Sequence, residues 1–303
     1  MKKTIFCCVL IFVFLLSAFA AFADTETDIE TDIETIEVSV PSTNRDIEIP
    51  AYFVVPETET DKVVVLIHGH HGNHNEWGGY DKVADGLAEN GILVAELDFA
   101  GCGNSAEDFT YNAMSYMCAD VLDVINYARN TYGVNKIGVM GYSMGGRIVA
   151  QMLIEDMITF DSIVFVAPAV SLNDMIVMFG GQEHYDMMKE TIKGTTDMYP
   201  FEGAYGIQLL SNEFFNDLEK YGEDMAEMAA AKYPGKSLTI YSTDDFIVNP
   251  MVSEQTALTF GSTIITVNNL GHSYNFYGED PTTVAALNTA IVTFLTTDLN
   301  AAE

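Results

Sequence analysis

From Lys62 onward the chain alternates between short, wholly apolar runs and longer segments whose apolar residues recur every three or four positions. A short apolar run bounded by turn residues reads as a strand buried on both faces, and the wider spacing reads as a helix packed along one side. The pattern predicts a strand over Lys62 to His68, a helix over Tyr80 to Asn90, a turn at Gly91 and a strand over Ile92 to Asp98. It continues with a helix over Met114 to Tyr132, a strand over Lys136 to Met140, a helix over Met144 to Ile158 and a strand over Ser162 to Val166. The alternation breaks and then resumes with a strand over Ser237 to Tyr241, a helix near 251–260, a strand over Thr263 to Val267 and a final helix from Thr282. Strands separated by helices imply an α/β fold with a mostly parallel, doubly wound sheet.

Two stretches depart from this rhythm. Between about Val170 and Pro234 the chain is rich in Met, Tyr, Phe and Gly, which reads as a cap inserted over the carboxyl edge of the sheet, where open α/β sheets place their ligands. Met175, Met178, Phe179, Tyr185, Met187, Met188, Tyr199, Phe201, Tyr205, Phe214 and Phe215 could shape a pocket there, although most are expected to form the cap's own core. Upstream, the alternating apolar positions from Thr35, including Ile47 to Val55, read as antiparallel strands that precede the main sheet.

The N-terminus carries a different signal. Lys2 and Lys3, the apolar run Ile5 to Phe19 and the small-residue site Ala21-Phe22-Ala23 read as a secretory signal peptide over residues 1–23, with cleavage before Asp24 and a secreted or extracytoplasmic destination. Residues 24–34, with Thr-Asp-Ile-Glu twice in tandem, are expected to form an acidic tether, leaving 35–303 as the folded domain. No later apolar run has spanning length, so no stable membrane insertion is expected once the signal is removed.

Composition narrows the function. The chain has 303 residues, 49% of them hydrophobic and a net charge of −31, which moves to −33 when Lys2 and Lys3 leave with the signal. Such acidity argues against nucleic acid as a partner, because little would neutralise its phosphates. Only Cys102 and Cys118 follow the signal, so the chain is no disulfide scaffold, although export would permit one bridge between them.

The strongest chemical signal is Gly141-Tyr142-Ser143-Met144-Gly145, set between an apolar strand and an apolar helix. That is the context of a nucleophile elbow: the glycines let a tight turn close while the serine hydroxyl stands clear. A serine needs a base and the base needs an orienting carboxylate. His272 follows Gly271 beyond the strand Thr263 to Val267, and is the histidine that the order Ser, Asp, His requires. Asp244 and Asp245 both leave the strand that begins at Ser237, and their side chains point opposite ways, so one of the two can face the imidazole.

With these residues in place the chain resembles the α/β-hydrolase superfamily, and within it the cinnamoyl/feruloyl esterase-like and serine aminopeptidase-type hydrolases, from about Val63 to Phe294. The resemblance rests on His68-Gly69 followed by Gly72-Asn73, on Leu97 to Ser105, on Gly141 to Gly146, on Asp245-Phe246-Ile247-Val248 and on Gly271-His272. Its pattern of aspartate, two residues, valine selects Asp245 over Asp244. Ala100 departs from it, since these enzymes carry arginine there, and a polar anchor for that loop is expected to be missing.

The resemblance implies an α/β-hydrolase fold and a catalytic triad of Ser143, Asp245 and His272, with backbone N–H groups of Met144 and His70 as the oxyanion hole. No cofactor is expected. Four histidines within 68–74 invite a metal reading, but Gly72 and Asn73 stand where a binuclear zinc motif needs an acid and a histidine, so no catalytic metal is expected. The expected partner is a small-molecule ester, cleaved through an acyl-enzyme, with an aryl or short acyl group. A serine aminopeptidase-type peptidase and a non-catalytic ligand-binding relative of the fold are the alternatives.

Overall fold

The computed structural model describes residues 33–195, 198–203, 206–273 and 281–301. The signal peptide, all but the last two residues of the tether, and Tyr205 lie outside the described residues. Two antiparallel strands come first, β1 (Glu34–Pro41) and β2 (Glu48–Val55). Glu34 already pairs with Val55, so the folded part begins one residue before the boundary expected at Thr35. The chain then runs β3 (Lys62–Ile67), α1 (Asp81–Glu89), β4 (Leu93–Leu97), α2 (Met114–Tyr132), β5 (Lys136–Tyr142), α3 (Met144–Ile154) and β6 (Ser162–Val166). An insert follows, with α4 (Leu172–Met178), α5 (Gln182–Thr195), the hairpin β7 (Met198–Gly203) and β8 (Gly206–Ser211), α6 (Asn212–Leu218) and α7 (Met225–Ala230). The fold closes with β9 (Lys236–Ser242), α8 (Pro250–Phe260), β10 (Thr263–Val267) and α9 (Pro281–Leu299).

Eight strands form one sheet in the order β1-β2-β4-β3-β5-β6-β9-β10. β2 meets β1 and β4 antiparallel, and the pairings from β4 to β10 are parallel. Because side chains alternate across a strand, β3 supplies both cores: Val63, Val65 and Ile67 face one, and Val64 and Leu66 the other. The first core holds α2, α3 and much of the insert. The second is covered by α1 and by α9, whose Leu287, Ile291, Leu295 and Leu299 recur every fourth residue along one face.

α3 stops at Ile154, four residues short of the expected Ile158. Asp156 adopts φ 50° and Met157 N–H returns to Met152 O at 3.0 Å, so a left-handed residue ends the helix where apolar spacing continued. The insert is also narrower as a cap than the span 170–234 suggests. α7 packs on α3 and α8, and so serves as the crossover helix between β6 and β9. Cys102 and Cys118 are free thiols, both buried. Among the described residues no helix is long and apolar enough to cross a membrane.

One buried cation ties the insert to the elbow helix. Arg147 on α3 is fully buried and donates to the carbonyl oxygens of Val170 (2.5 Å), Leu218 (2.8 Å) and Tyr221 (3.0 Å), at the entry and the return of the cap. Burial lowers its pKa to about 10, which leaves it charged at neutral pH. Arg147→Leu would strand these acceptors in the interior, and we expect it to reduce the unfolding free energy by about 3 kcal/mol or more. Urea denaturation measures the change, and an unaltered midpoint would refute the latch.

Candidate active site

The site grows from the turn between β5 and α3. Ser143 adopts φ 52°, ψ −117°, a conformation that a residue with a side chain holds only when its surroundings enforce it. Those surroundings leave no room for a side chain at positions 141, 145 and 146. A Cβ at Gly141 would lie 2.7 Å from the carbonyl of Gly145, one at Gly145 would overlap the carbonyl oxygen of Ile67, and one at Gly146 would come within 2.7 Å of Pro168. Met144 opens α3, so its N–H has no acceptor within the helix.

The structure brings Ser143, His272 and Asp245 into one hydrogen-bonded line. His272 Nδ1 donates to Asp245 Oδ2 at 2.8 Å, which leaves Nε2 free to accept the Ser143 hydroxyl at 3.0 Å. Asp245 is buried, and its other oxygen accepts the N–H groups of Ile247 (2.9 Å) and Val248 (3.0 Å). The loop that carries it is held to the cap, where Asp174 on α4 accepts Asn249 N–H at 3.1 Å. Asp244 turns the other way, to the Ser242 hydroxyl and to Asn269 N–H, and does not meet the imidazole. The His272 loop is pinned in turn by the elbow itself, since Tyr142 OH donates to His272 O at 2.8 Å.

The four histidines of residues 68–74 diverge. His68 is buried, donates from Nδ1 to Gly69 O at 2.8 Å and accepts Phe99 N–H at Nε2. The His70 ring lies among Phe109, Phe179 and Phe214 and donates from Nε2 to Gln208 Oε1 on β8, at 2.7 Å. Burial lowers both to about 4, so both stay neutral near pH 7. His71 lies against Phe109, and His74 stacks on Tyr52 with ring centres 3.7 Å apart. Among the described residues no three His, Cys, Asp or Glu side chains converge as a metal site.

Asp98 supplies the anchor that Ala100 does not. It accepts His74 N–H (2.6 Å), Asn104 N–H (2.8 Å) and Tyr52 OH (3.1 Å), and Asn112 holds Ala100 O from the far side at 2.8 Å. Burial pushes the Asp98 carboxyl up, but the hydrogen bonds from His74 and Asn104 outweigh it and keep its pKa below the ordinary value. Glu76 plays a similar part beside the loop after β3: nearly fully buried, it accepts Gly69 N–H at 2.5 Å.

These elements enclose a cavity of about 260 Å³ whose wall includes Ser143, His272, Gly69, His70, Glu76, Trp77 and Gln208. From the aromatic and methionine residues of the insert, Met178, Phe179 and Phe201 reach the cavity, and Ile247 joins them. Met175, Tyr185, Met188, Phe214 and Phe215 are buried in the core, Tyr199 packs at its edge and Met187 is exposed. Sequence reasoning missed Glu76, Trp77 and Gln208. The lone tryptophan next to Gly78-Gly79 could have drawn notice, whereas nothing local marks Gln208, whose partner lies 138 residues away.

Comparison with known proteins bears on the fold. The family model of the serine aminopeptidases, S33, matches residues 58–200. A monoacylglycerol lipase of Mycolicibacterium smegmatis is 32% identical over 120 residues, which is 39% of this chain and 42% of that protein, so the match spans about two fifths of its length. Among solved structures, Est1E from Butyrivibrio proteoclasticus with ferulic acid bound superposes with a TM-score of 0.68 at 19% identity, over 88% of this chain and 100% of that one. A thermostable carboxyl esterase from Bacillus coagulans in complex with glycerol gives 0.64 at 15%, over 88% and 99%.

The two neighbouring aspartates give the sharpest test of the geometry. Asp245→Asn removes the acceptor that fixes the His272 tautomer, and we expect labelling of Ser143 by a fluorophosphonate to slow by about 10⁴, the loss known for this change in a serine triad. Asp244→Asn should label at close to the wild-type rate. The opposite ranking would assign the carboxylate to Asp244.

Proposed function

We propose that the chain, which has the α/β-hydrolase fold, is a member of that superfamily and a carboxylic ester hydrolase working through an acyl-enzyme on Ser143. The observation that carries this reading is the unbroken line from Asp245 through His272 to Ser143, with both distances at hydrogen-bond length, opening on a partly open cavity. Ser143 Oγ attacks the ester carbonyl carbon while its proton passes to His272 Nε2. Asp245 stabilises the imidazolium that forms. The tetrahedral oxygen takes the N–H groups of Met144 and His70, each worth about 10²–10³ in kcat at sites of this kind. Collapse breaks the bond to the alcohol oxygen, which receives the proton from Nε2. Water then enters, gives its proton to the same nitrogen, and the second collapse returns Ser143 and releases the acid.

Cavity size and lining favour an aryl or short acyl group. A space of about 260 Å³ walled by Phe179, Phe201, Met178 and Ile247 suits one planar ring, and it is small for a long acyl chain. Ferulic acid in Est1E is a ligand of that shape. The acidic chain also disfavours approach to anionic lipid surfaces, which fits a soluble ester better than an emulsified one. A peptidase that removes N-terminal residues is the second reading, because the S33 model matches and the Glu76 carboxyl lies in the cavity wall. Glu76 is engaged by Gly69 N–H, which makes it a loop support before it is a receptor for an amine. Export completes the proposal: the signal over residues 1–23 would deliver an enzyme that begins at Asp24.

Ser143→Ala is expected to abolish fluorophosphonate labelling and ester hydrolysis and to leave the thermal unfolding temperature near that of the wild type. Retained labelling would move the nucleophile elsewhere. Across methyl hydroxycinnamates, short-chain nitrophenyl esters, emulsified triolein and aminoacyl nitroanilides, kcat/KM should be highest for one of the first two. A win for triolein would make this a lipase, and a win for the nitroanilides would give the site to peptides.

A further inference from the structure

Trp77 is the single tryptophan of the chain, and it stands at the rim of the cavity that holds Ser143 and His272, 59% exposed. Its backbone is left-handed (φ 57°, ψ 34°), as are those of Glu76 before it (φ 47°) and Gly78 after it (φ 91°). Bulky L-residues avoid this region, and two in succession require enforcement. The enforcement is visible: Asn73 Oδ1 accepts Trp77 N–H at 2.7 Å, and Glu76 is drawn inward to Gly69 N–H. Gly78 and Tyr80 N–H groups both return to Asn75 O, closing the turn. Burying Glu76 in this way throws the next side chain outward, so the indole is held against solvent at the edge of the reacting site.

The cavity wall is buried on the cap side, at Phe179, and exposed at Trp77. In an acyl-enzyme cycle the alcohol must depart before water enters, so the leaving portion belongs at the exposed rim and the acyl portion in the enclosed part. We propose that Trp77 is a stacking platform for the alcohol side of the substrate, taking a neutral ring with an apolar face, either aromatic or pyranose. An indole face receives the face or the C–H edge of such a ring, and the strongly acidic chain disfavours an anionic one. This inference rests on the ester-hydrolase reading and adds the class of alcohol to it.

The test uses three esters of one hydroxycinnamic acid, with methanol, benzyl alcohol and a methyl glucoside 6-hydroxyl as the alcohols, against wild type, Trp77→Ala and Trp77→Phe. In Trp77→Ala, kcat/KM for at least one ring ester should fall about tenfold relative to the methyl ester, the scale of one lost ring contact, with partial recovery in Trp77→Phe. Which ring ester falls identifies the alcohol. Deacylation proceeds from the same acyl-enzyme in all three cases, so a kcat limited by that step should not move. An equal fall for all three esters, or an altered deacylation rate, would overturn the proposal and make Trp77 a support for the loop or part of the acyl wall. As a direct readout, the fluorescence of this sole tryptophan in Ser143→Ala should shift with the susceptible ring ester and not with the methyl ester. If wild type hydrolyses neither these three nor short-chain nitrophenyl esters, the ester reading itself fails. If it hydrolyses them and Trp77→Ala keeps the wild-type ratios of kcat/KM among them, only the platform is lost.

Discussion

At the elbow the carbonyl oxygen of Ile67 lies so near Gly145 that no side chain fits between them, and this contact sets how far α3 approaches β3. The neighbouring glycines, 141 and 146, are under the same compression from Gly145 and Pro168. Ser143 is left with a backbone that costs about 1–3 kcal/mol, held by the packing of a helix on a sheet. The same closeness brings the loop after β3 to the serine, since a Cβ on Gly69 would meet the Tyr142 ring at 3.1 Å and Ser143 Cβ at 3.3 Å. Tyr142 then reaches the His272 backbone. Ser143, the loop after β3 and His272 are therefore placed by one dense piece of backbone.

Buried polar groups do the rest of the positioning, and each is costly to bury unless satisfied. Asp98 gathers the loops after β3 and β4 through three donors, and Glu76 holds the amide of Gly69. The cap is fastened at separate places: Arg147 clamps its ends, Asp174 meets the loop of Asp245, and Gln208 meets His70. A shift of the cap would thus be felt both at the loop of Asp245 and at the loop after β3. The low pKa of His70 suits this role, because a neutral imidazole with Nε2–H is the form that donates to Gln208 Oε1.

The parts of the molecule written in local sequence were legible before any coordinates. Apolar runs located the parallel strands, and the glycines around Ser143 marked the elbow because steric demand there is met by adjacent residues. Asp244 and Asp245 could not be separated by the residues alone; a pattern including Val248 was needed, and the structure gives that valine's amide a bond to the Asp245 carboxylate. Apolar spacing carried α3 too far, since the left-handed turn at Asp156 leaves no trace in hydrophobic period. The hairpin of β7 and β8 was hidden in a segment whose aromatic content spoke only of a core. Gln208 and Arg147 act across long sequence separations, and the missing arginine at Ala100 misled, because an acid two residues earlier carries the anchoring.

The two thiols bear on how this fold is reached. Cys102 and Cys118 are buried and unbridged, and burial pushes the Cys102 thiol up to about 12 and that of Cys118 well above its ordinary value. Thiol exchange and oxidation proceed through the thiolate, so neither sulfur is a competent reactant once the chain has folded. Among the described residues, folding then calls for no oxidase to join cysteines and no isomerase to correct them, and that part of the structure is indifferent to the thiol–disulfide balance of its surroundings. The window of vulnerability is confined to the unfolded chain, where both thiols are open to mispairing, and it shuts when the loop after β4 settles onto Asp98 and α2 docks against α3.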